Sequence, residues 1–174
     1  KRQNAERMRA LAEFGQLDFG ENLLPEALSK QQTLADLALN WHFIGALQSN
    51  KTRSVANHFS WVHSVDRLRI AERLSAQRDP DLPALNVCVQ VNISAESSKS
   101  GCAPDQCLAL CKAVAELPNL KLRGLMTIPA PSDPPDPAPF QALHQLFAQC
   151  RAQGLPMDTV SAGMSADLEV AIAH

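Results

Sequence analysis

The chain is predicted to fold as an α/β protein with a parallel sheet. Short apolar segments alternate with segments of helical periodicity along the chain, and polar clusters follow four of the apolar segments. Alternation of this kind is typical of parallel strands joined by right-handed helical crossovers. At 174 residues the chain has the length of one domain that can bury its own core.

The first half of the chain shows three repeats of a strand followed by a helix. An amphipathic helix over 5–14 precedes the first strand, and Gly15 is expected to close it as a C-terminal cap. Pro25 at a helix start and Asp66 as an N-terminal cap mark two of the later helices. The other segments predicted in this half are strands at 17–20, 41–47 and 61–65 and helices at 26–39, 50–59 and 67–78.

The second half continues the alternation. Its clearest strand is 86–93, in which Val87, Val89, Val91 and Ile93 occupy alternate positions. The other segments predicted here are a helix that includes 107–117, strands at 120–128 and 159–164, a helix at 140–153 and a last helix capped by Ser165. Six strands therefore alternate with helices.

A proline-rich segment interrupts this pattern. Six of the twelve prolines lie within 129–139, which cannot form a helix or a central strand. We interpret the segment as a surface linker, with a lid over the strand ends as the alternative.

Periodicity leaves two architectures open, a closed eight-stranded barrel and an open doubly wound sheet. The sequence contains no Gly-x-Gly-x-x-Gly turn and no Gly-x-x-x-x-Gly-Lys-Ser/Thr loop. The dinucleotide-binding and P-loop classes therefore lose their main support.

The composition points to a small-molecule partner. Sixteen basic and 18 acidic residues give a net charge of -2, so no overall positive field favours nucleic acid or anionic lipid. We expect no signal peptide, and the sequence contains no apolar run long enough to span a bilayer. We expect a cytoplasmic protein that binds neither nucleic acid nor membranes.

The five cysteines are interpreted as reduced core residues. Cys107 and Cys111 share an apolar helical face with Leu110, Val114 and Leu117. A metal site is the alternative, but there is no Cys-x-x-Cys pair and no histidine lies near these cysteines in sequence. We predict no metal site.

Polar clusters stand where four of the strands are expected to end. In parallel α/β folds the carboxyl ends of the strands meet at one edge, and ligands bind there. Any one cluster is compatible with an ordinary solvated loop, so the argument depends on their combination. The clusters are 20–22, 48–51, 92–101 and 163–167.

These clusters belong to six ordered motifs that resemble the pyridoxal 5'-phosphate (PLP) homeostasis protein family. The family consists of single-domain barrels similar to the cofactor-binding barrel of alanine racemase, so the resemblance favours the TIM-type (β/α)8 barrel over the open sheet. The motifs are Phe-Gly-Glu-Asn at 19–22, Trp-His-Phe-Ile-Gly-Ala-Leu-Gln-Ser-Asn-Lys at 41–51, Val-His-Ser-Val-Asp-Arg at 62–67, Val-Asn-Ile-Ser with Ser-Lys-Ser-Gly at 91–101, Leu-Arg-Gly-Leu-Met-Thr-Ile-Pro at 122–129 and Gly-Met-Ser-Ala-Asp-Leu-Glu at 163–169.

The resemblance implies a set of cofactor-binding residues. The family's Schiff-base lysine precedes the Phe of Phe-Gly-Glu-Asn by eighteen residues, and this spacing leads to Lys1. Asn22 and Ile44 are implied to line the ring of PLP. Met164 and Ser165 are implied to stand near its phosphate at a helix N-terminus, where backbone N–H groups favour an anion.

Other polar residues near the strand ends receive structural interpretations. We interpret His42 and His63 as hydrogen-bonded structural histidines rather than bases. Lys51 and Lys99 are candidates for steering phosphate, with ordinary solvation as the alternative. The carboxylates Glu21, Asp167 and Glu169 are expected to hold loops rather than to transfer protons.

The resemblance implies a carrier of PLP rather than an enzyme. The protein would hold the cofactor as an aldimine with Lys1 and buffer it or deliver it to PLP-dependent apo-enzymes. An alanine-racemase-type enzyme is the first alternative, but its second acid/base group is a tyrosine and this chain contains none. The second alternative is a non-binding fragment, because we expect 1–174 to be one barrel domain truncated at both ends, with the first and eighth strands largely missing.

Overall fold

Six parallel strands form one sheet, and their order in space follows their order along the chain. The computed structural model describes residues 3–94, 100–132 and 134–174. The strands are β1 (Asp18–Glu21), β2 (Asn40–Phe43), β3 (Trp61–Val65), β4 (Leu85–Gln90), β5 (Leu120–Met126) and β6 (Thr159–Ser161).

One helix precedes the sheet, and a helix follows every strand. A short 3-10 turn at Ser49–Lys51 leads into the third helix. The predicted alternation of strands and helices is therefore confirmed. The helices are α1 (Ala5–Glu13), α2 (Leu24–Thr33), α3 (Thr52–His58), α4 (Leu68–Gln77), α5 (Pro104–Ala115), α6 (Ala138–Ala152) and α7 (Leu168–Ala173).

The strand order identifies the sheet as part of a barrel. A doubly wound sheet reverses its strand order at a switch point, whereas this order runs from β1 to β6 without reversal. Right-handed crossovers that all advance in one direction place every helix on the same face. The described residues thus form a six-stranded arc of the predicted TIM-type barrel.

Curvature of the arc follows from a contact across its concave face. Neighbouring strands lie about 4.8 Å apart, so a flat sheet would separate β3 from β6 by roughly 14 Å. His63 on β3 nevertheless hydrogen-bonds the Ser161 hydroxyl on β6, with 2.7 Å between Nδ1 and Oγ. The sheet must curl for these two side chains to meet.

The two faces of the sheet differ in chemistry. Valine and leucine side chains pack against the helices and exclude solvent, among them Val62, Val87 and Leu125. The concave face instead carries polar side chains such as His42 and His63. Because successive side chains of a strand point to opposite faces, this division follows directly from the alternation in the sequence.

Four predicted strands extend too far. β2 ends at Phe43 rather than at Leu47, and β4 ends at Gln90 rather than at Ile93. β5 ends at Met126 rather than at Ile128, and β6 ends at Ser161 rather than at Met164. Among the described residues, the pairing continues beyond Phe43 only through the Ile44 N–H, which donates to the Glu21 carbonyl. At Gly45 the loop after β1 lies close by, since an added Cβ would be 2.2 Å from the Asn22 carbonyl oxygen.

Three predicted helix ends are also wrong. α2 stops at Thr33 rather than at Leu39, and the turn after it places Asp36 against Arg9 of α1. Asp66 does not cap α4, because its carboxylate accepts hydrogen bonds from Arg67 instead. Ser165 does not cap α7, which begins three residues later with Asp167 in the N-cap position.

The cysteines behave as predicted for core residues. All five are buried and none forms a disulfide. Burial raises the pKa of Cys88 to about 12, so this thiol stays protonated at neutral pH. In residues 3–94, 100–132 and 134–174, no helix is both long enough and apolar enough to cross a bilayer.

Candidate functional site at the carboxyl ends of the strands

A small cavity lies at the carboxyl ends of the strands, and we call it the site cavity. Its volume is about 100 Å³. Strands β2, β5 and β6 contribute to its wall through the residues that end them or follow them. The lining residues are Ile44, Met126, Thr127, Ile128, Ser161, Ala162, Gly163 and Met164.

Two of the predicted cofactor residues meet in this cavity. Ile44 follows β2 and Met164 follows β6, and both line its wall although 120 positions separate them in sequence. Asn22 belongs to the same edge, because a Cβ on Gly45 would lie only 2.2 Å from the Asn22 carbonyl oxygen. The loops after β1 and β2 are therefore in contact beside the cavity.

The other two predicted cofactor residues differ in what the structure shows. Ser165 is exposed, follows Met164 and does not line the site cavity. The predicted helix N-terminus at this point is wrong, since α7 has only six residues and starts at Leu168. Lys1 and Lys99 lie outside the described residues.

A chain of four polar side chains runs beneath the site cavity, and we call it the polar chain. Asp18 Oδ1 lies 3.0 Å from His42 Nε2, and His42 Nδ1 lies 3.0 Å from His63 Nε2. His63 Nδ1 in turn lies 2.7 Å from Ser161 Oγ, which lines the cavity. The predicted hydrogen-bonded role of both histidines is confirmed.

Sequence reasoning missed Ser161 as a site residue. It lies two residues before Gly163, just outside the motif that drew attention to 163–169. A signal was available, because His42 and Ser161 each stand between two apolar residues and His63 follows Val62. Polar side chains inside a barrel need hydrogen-bond partners, and the strands opposite are the nearest source of them.

An aromatic and ionic cluster contacts the polar chain at His42. The Trp61 ring stacks on His42 with 5.2 Å between ring centroids, and the Arg123 guanidinium lies 4.6 Å from the Trp61 centroid. Arg123 also pairs with Asp158 at 2.8 Å and donates to Asn86. These contacts link β2, β3, β4 and β5 on the face of the sheet that also carries His42 and His63.

Glu21 and Asp167 have the structural role that was predicted for them. Glu21 is buried and pairs with Lys30 of α2, with 2.5 Å between Oε1 and Nζ. Asp167 Oδ1 accepts a hydrogen bond from the Met164 backbone N–H at 2.5 Å, which closes the turn after β6. Neither carboxylate lines the site cavity.

Folding brings together three cysteines that the sequence keeps apart. The Sγ atoms of Cys107, Cys111 and Cys150 lie within 4.8 Å of one another between α5 and α6. Spacing within one segment could not reveal the thiol that α6 supplies, because Cys150 lies 39 positions after Cys111. The group is fully buried, and burial raises the pKa of Cys150. The three thiols thus pack as small apolar side chains.

The buried His63 makes stability depend on pH. Burial, reinforced by the neighbouring His42, lowers the pKa of His63 from 6.5 to about 4. As the pH falls, this histidine is therefore protonated in the unfolded chain before it is protonated in the folded chain. The contribution of His63 to stability is complete above about pH 6.5 and is lost as the pH falls towards 4. The free energy of unfolding should fall by about 3 kcal/mol across this window.

Urea unfolding at a series of pH values measures this effect. The slope of unfolding free energy against pH measures how many protons are taken up on unfolding. In H63Q, which has no titrating group at this position, that number should be smaller by about one between these limits. The exposed His58 provides the control, because H58Q should keep the wild-type slope. A wild-type slope in H63Q would contradict the assignment.

The chain resembles proteins of one family over nearly its whole length. Residues 3–174 match the family model of the alanine racemase N-terminal domain. A protein of Pseudomonas aeruginosa named pyridoxal phosphate homeostasis protein is 61% identical over 162 residues. That match covers 91% of this chain and 68% of the relative.

Solved structures show the same likeness. The structure of PipY from Synechococcus elongatus with PLP bound superimposes with a TM-score of 0.88 at 34% identity, covering 99% of this chain and 82% of PipY. An alanine racemase from Clostridium difficile superimposes with a TM-score of 0.78 at 13% identity, covering 94% of this chain and 43% of the racemase. At that identity the racemase supports the fold alone.

Proposed function

Because the chain belongs to the alanine racemase N-terminal domain family, we propose that it binds PLP at the site cavity and serves in PLP homeostasis. The observation that carries the proposal is the meeting of Ile44 and Met164 in one cavity at the carboxyl edge. The family resemblance had implied both residues as cofactor contacts. The name of the Pseudomonas aeruginosa relative and the PLP bound to PipY support the same ligand.

The residues of the site cavity fit such a cofactor. The half-buried Ile44 side chain offers an apolar surface against which a planar ring can lie, and the Ser161 hydroxyl offers one hydrogen-bonding group. Small-molecule sites typically combine an apolar wall with a few placed polar groups in this way. Asn22 and the exposed Ser165 are proposed as further contacts at the rim of the cavity.

Lys1 is proposed as the residue that bonds the cofactor. When bound, PLP supplies an aldehyde whose carbonyl carbon is attacked by a lysine amine, with loss of one water. The support for Lys1 is its spacing of eighteen residues from Phe19 in the family pattern. The role of this chain is then to hold the cofactor and to release it when the bond is hydrolysed.

The proposal assigns no catalytic turnover to the chain. Racemisation needs a second proton-transfer group on the cofactor face opposite the lysine. The chain contains no tyrosine, and the described residues that line the site cavity include no acid or base. We propose instead that PLP-dependent apo-enzymes receive the cofactor. A cytoplasmic setting is part of the proposal, and the five unpaired thiols support it.

Chemical trapping tests the proposed function. The protein, expressed behind an initiator methionine, is incubated with PLP and reduced with borohydride. Peptide mapping should find the reduced adduct on the Lys1 side chain, because only that lysine is assigned to the cofactor. K1A should lose the adduct, whereas K51A should keep it. An adduct that remains in K1A at the wild-type level would disprove the role of Lys1, and a failure to bind PLP at all would disprove the function.

A further inference from the structure

The polar chain connects solvent with the site cavity. Its outer end is Asp18, whose side chain is 57% exposed, and its inner end is Ser161 in the cavity wall. His42 and His63 lie between them, and His63 is buried. All three links have lengths of ordinary hydrogen bonds, from 2.7 to 3.0 Å.

The carboxylate sets the direction of these hydrogen bonds when both imidazoles are neutral. An ionised Asp18 only accepts, so His42 must donate from Nε2 and accept at Nδ1. His63 then donates from Nε2 to His42 and accepts at Nδ1 from the Ser161 hydroxyl. In this state the Ser161 hydroxyl donates its proton to His63 Nδ1, so Ser161 presents only oxygen lone pairs to the site cavity.

A proton added to His42 reverses the inner part of the chain. Both nitrogens of an imidazolium donate, so His42 now donates from Nδ1 to His63 Nε2. His63 must then carry its own proton on Nδ1 and donate it to Ser161 Oγ. The hydroxyl proton of Ser161 is thereby released to donate into the site cavity.

We propose that proton uptake at His42 decides whether Ser161 accepts from, or donates to, the molecule bound in the site cavity. The inference rests on the proposed function for the identity of that molecule. PLP carries oxygen acceptors on its ring, aldehyde and phosphate, and the protonated chain suits them. Asp18, His42 and His63 act through Ser161 and are positioning residues.

Few charged groups face the polar chain in the described part of the protein. Asp18 of β1 faces His42, and its carboxylate oxygen lies 3.0 Å from Nε2. Arg123 of β5 is the nearest positive charge; Trp61 contacts both its guanidinium and His42, and Asp158 pairs with the guanidinium. The nearest opposite charge therefore sits at the outer end of the chain, where a proton would enter from solvent.

Nitrogen NMR tests the reversal without any ligand. Long-range correlation spectra of 15N-histidine report which ring nitrogen carries the proton. His63 should change from the Nε2–H to the Nδ1–H tautomer as His42 takes up its proton. In D18N the amide can either donate or accept, so the single tautomer of His42 should be lost. A His63 tautomer that stays fixed while His42 titrates would overturn the proposal.

Cofactor titrations test the consequence for the site cavity. The quantity to compare is the Kd of S161A for PLP divided by the Kd of wild type. This ratio should be about threefold larger at about pH 5.5 than at about pH 8. I44V is the matched control, because it shortens an apolar side chain of the cavity wall and should weaken binding by a factor that does not change with pH. Circular dichroism confirms that each variant is folded at both pH values.

The two measurements separate the inference from the proposed function. A constant ratio between S161A and wild type would overturn the role of Ser161 even if the protein binds PLP. If wild-type protein binds no PLP, the proposed function is wrong, and so is the proposed contact between Ser161 and PLP. The NMR result would then still decide whether the polar chain reverses.

Discussion

Replacing Arg78 with methionine is expected to lower the free energy of unfolding by about 4 kcal/mol. Arg78 is buried at the end of α4, and its guanidinium donates to the carbonyls of Ala56, Phe59 and Pro83. The first two carbonyls lie at the C-terminal end of α3, where the helix itself offers no donors. Methionine fills a similar volume but leaves three acceptors without this donor.

Denaturant unfolding of R78M measures the effect, and two variants control it. R78K retains a positive charge but cannot spread donors over three carbonyls, so it should be less stable than wild type and more stable than R78M. R69M removes an exposed arginine from the same helix and should change stability by less than about 0.5 kcal/mol. Equal stabilities of R78M and R69M would show that the buried hydrogen bonds contribute nothing.

Replacing Gly124 with alanine is expected to abolish the site while most of the sheet remains folded. Gly124 on β5 pairs with Thr159 on β6, and a Cβ at this position would lie 1.6 Å from the Thr159 carbonyl oxygen. No side-chain movement relieves this overlap, because the atom it meets belongs to the backbone. β6 must therefore move away from β5 and take Ser161 and Met164 with it.

The expected consequence is a loss of PLP affinity of at least about 100-fold, which corresponds to about 2.7 kcal/mol. Absorbance titration measures the affinity, and circular dichroism checks that G124A retains its helices. G154A is the control: Gly154 also has a backbone that disfavours other residues, with a φ of 84°, but no atom lies within 4 Å of its added Cβ. G154A should lose some stability and keep its affinity. Equal affinities of G124A and wild type would show that PLP binding does not depend on the close contact between β5 and β6.

Local pattern was sufficient for the elements and their order. The alternation of Val87, Val89 and Val91 marked β4, and Trp61–Val65 was predicted with the bounds that the structure gives to β3. Element ends were less predictable. β2 stops at Phe43, and just beyond it Gly45 lies against Asn22, a residue more than twenty positions away that no local pattern links to it.

The candidate site was predictable in part. Ile44 and Met164 were implied by motifs that lie at strand ends, and the structure places both on one cavity. The prediction that a helix N-terminus at Ser165 holds the phosphate was wrong about the helix. α7 starts at Leu168, and the Asp167 side chain accepts a hydrogen bond from Met164 in the preceding turn. The roles of Lys1, Asn22 and Ser165 remain predictions, and the trapping experiment tests that of Lys1.

By itself the sequence determined the fold class, the alternation of strands and helices, and the family. These properties depend on residues within one segment or on ordered motifs, so a linear pattern carries them. Only the tertiary structure decided that Arg78 caps α3, and that Ser161 meets His63 across 98 positions. Both contacts depend on how far the sheet curls and where neighbouring elements come to rest, and many packed residues set that geometry together.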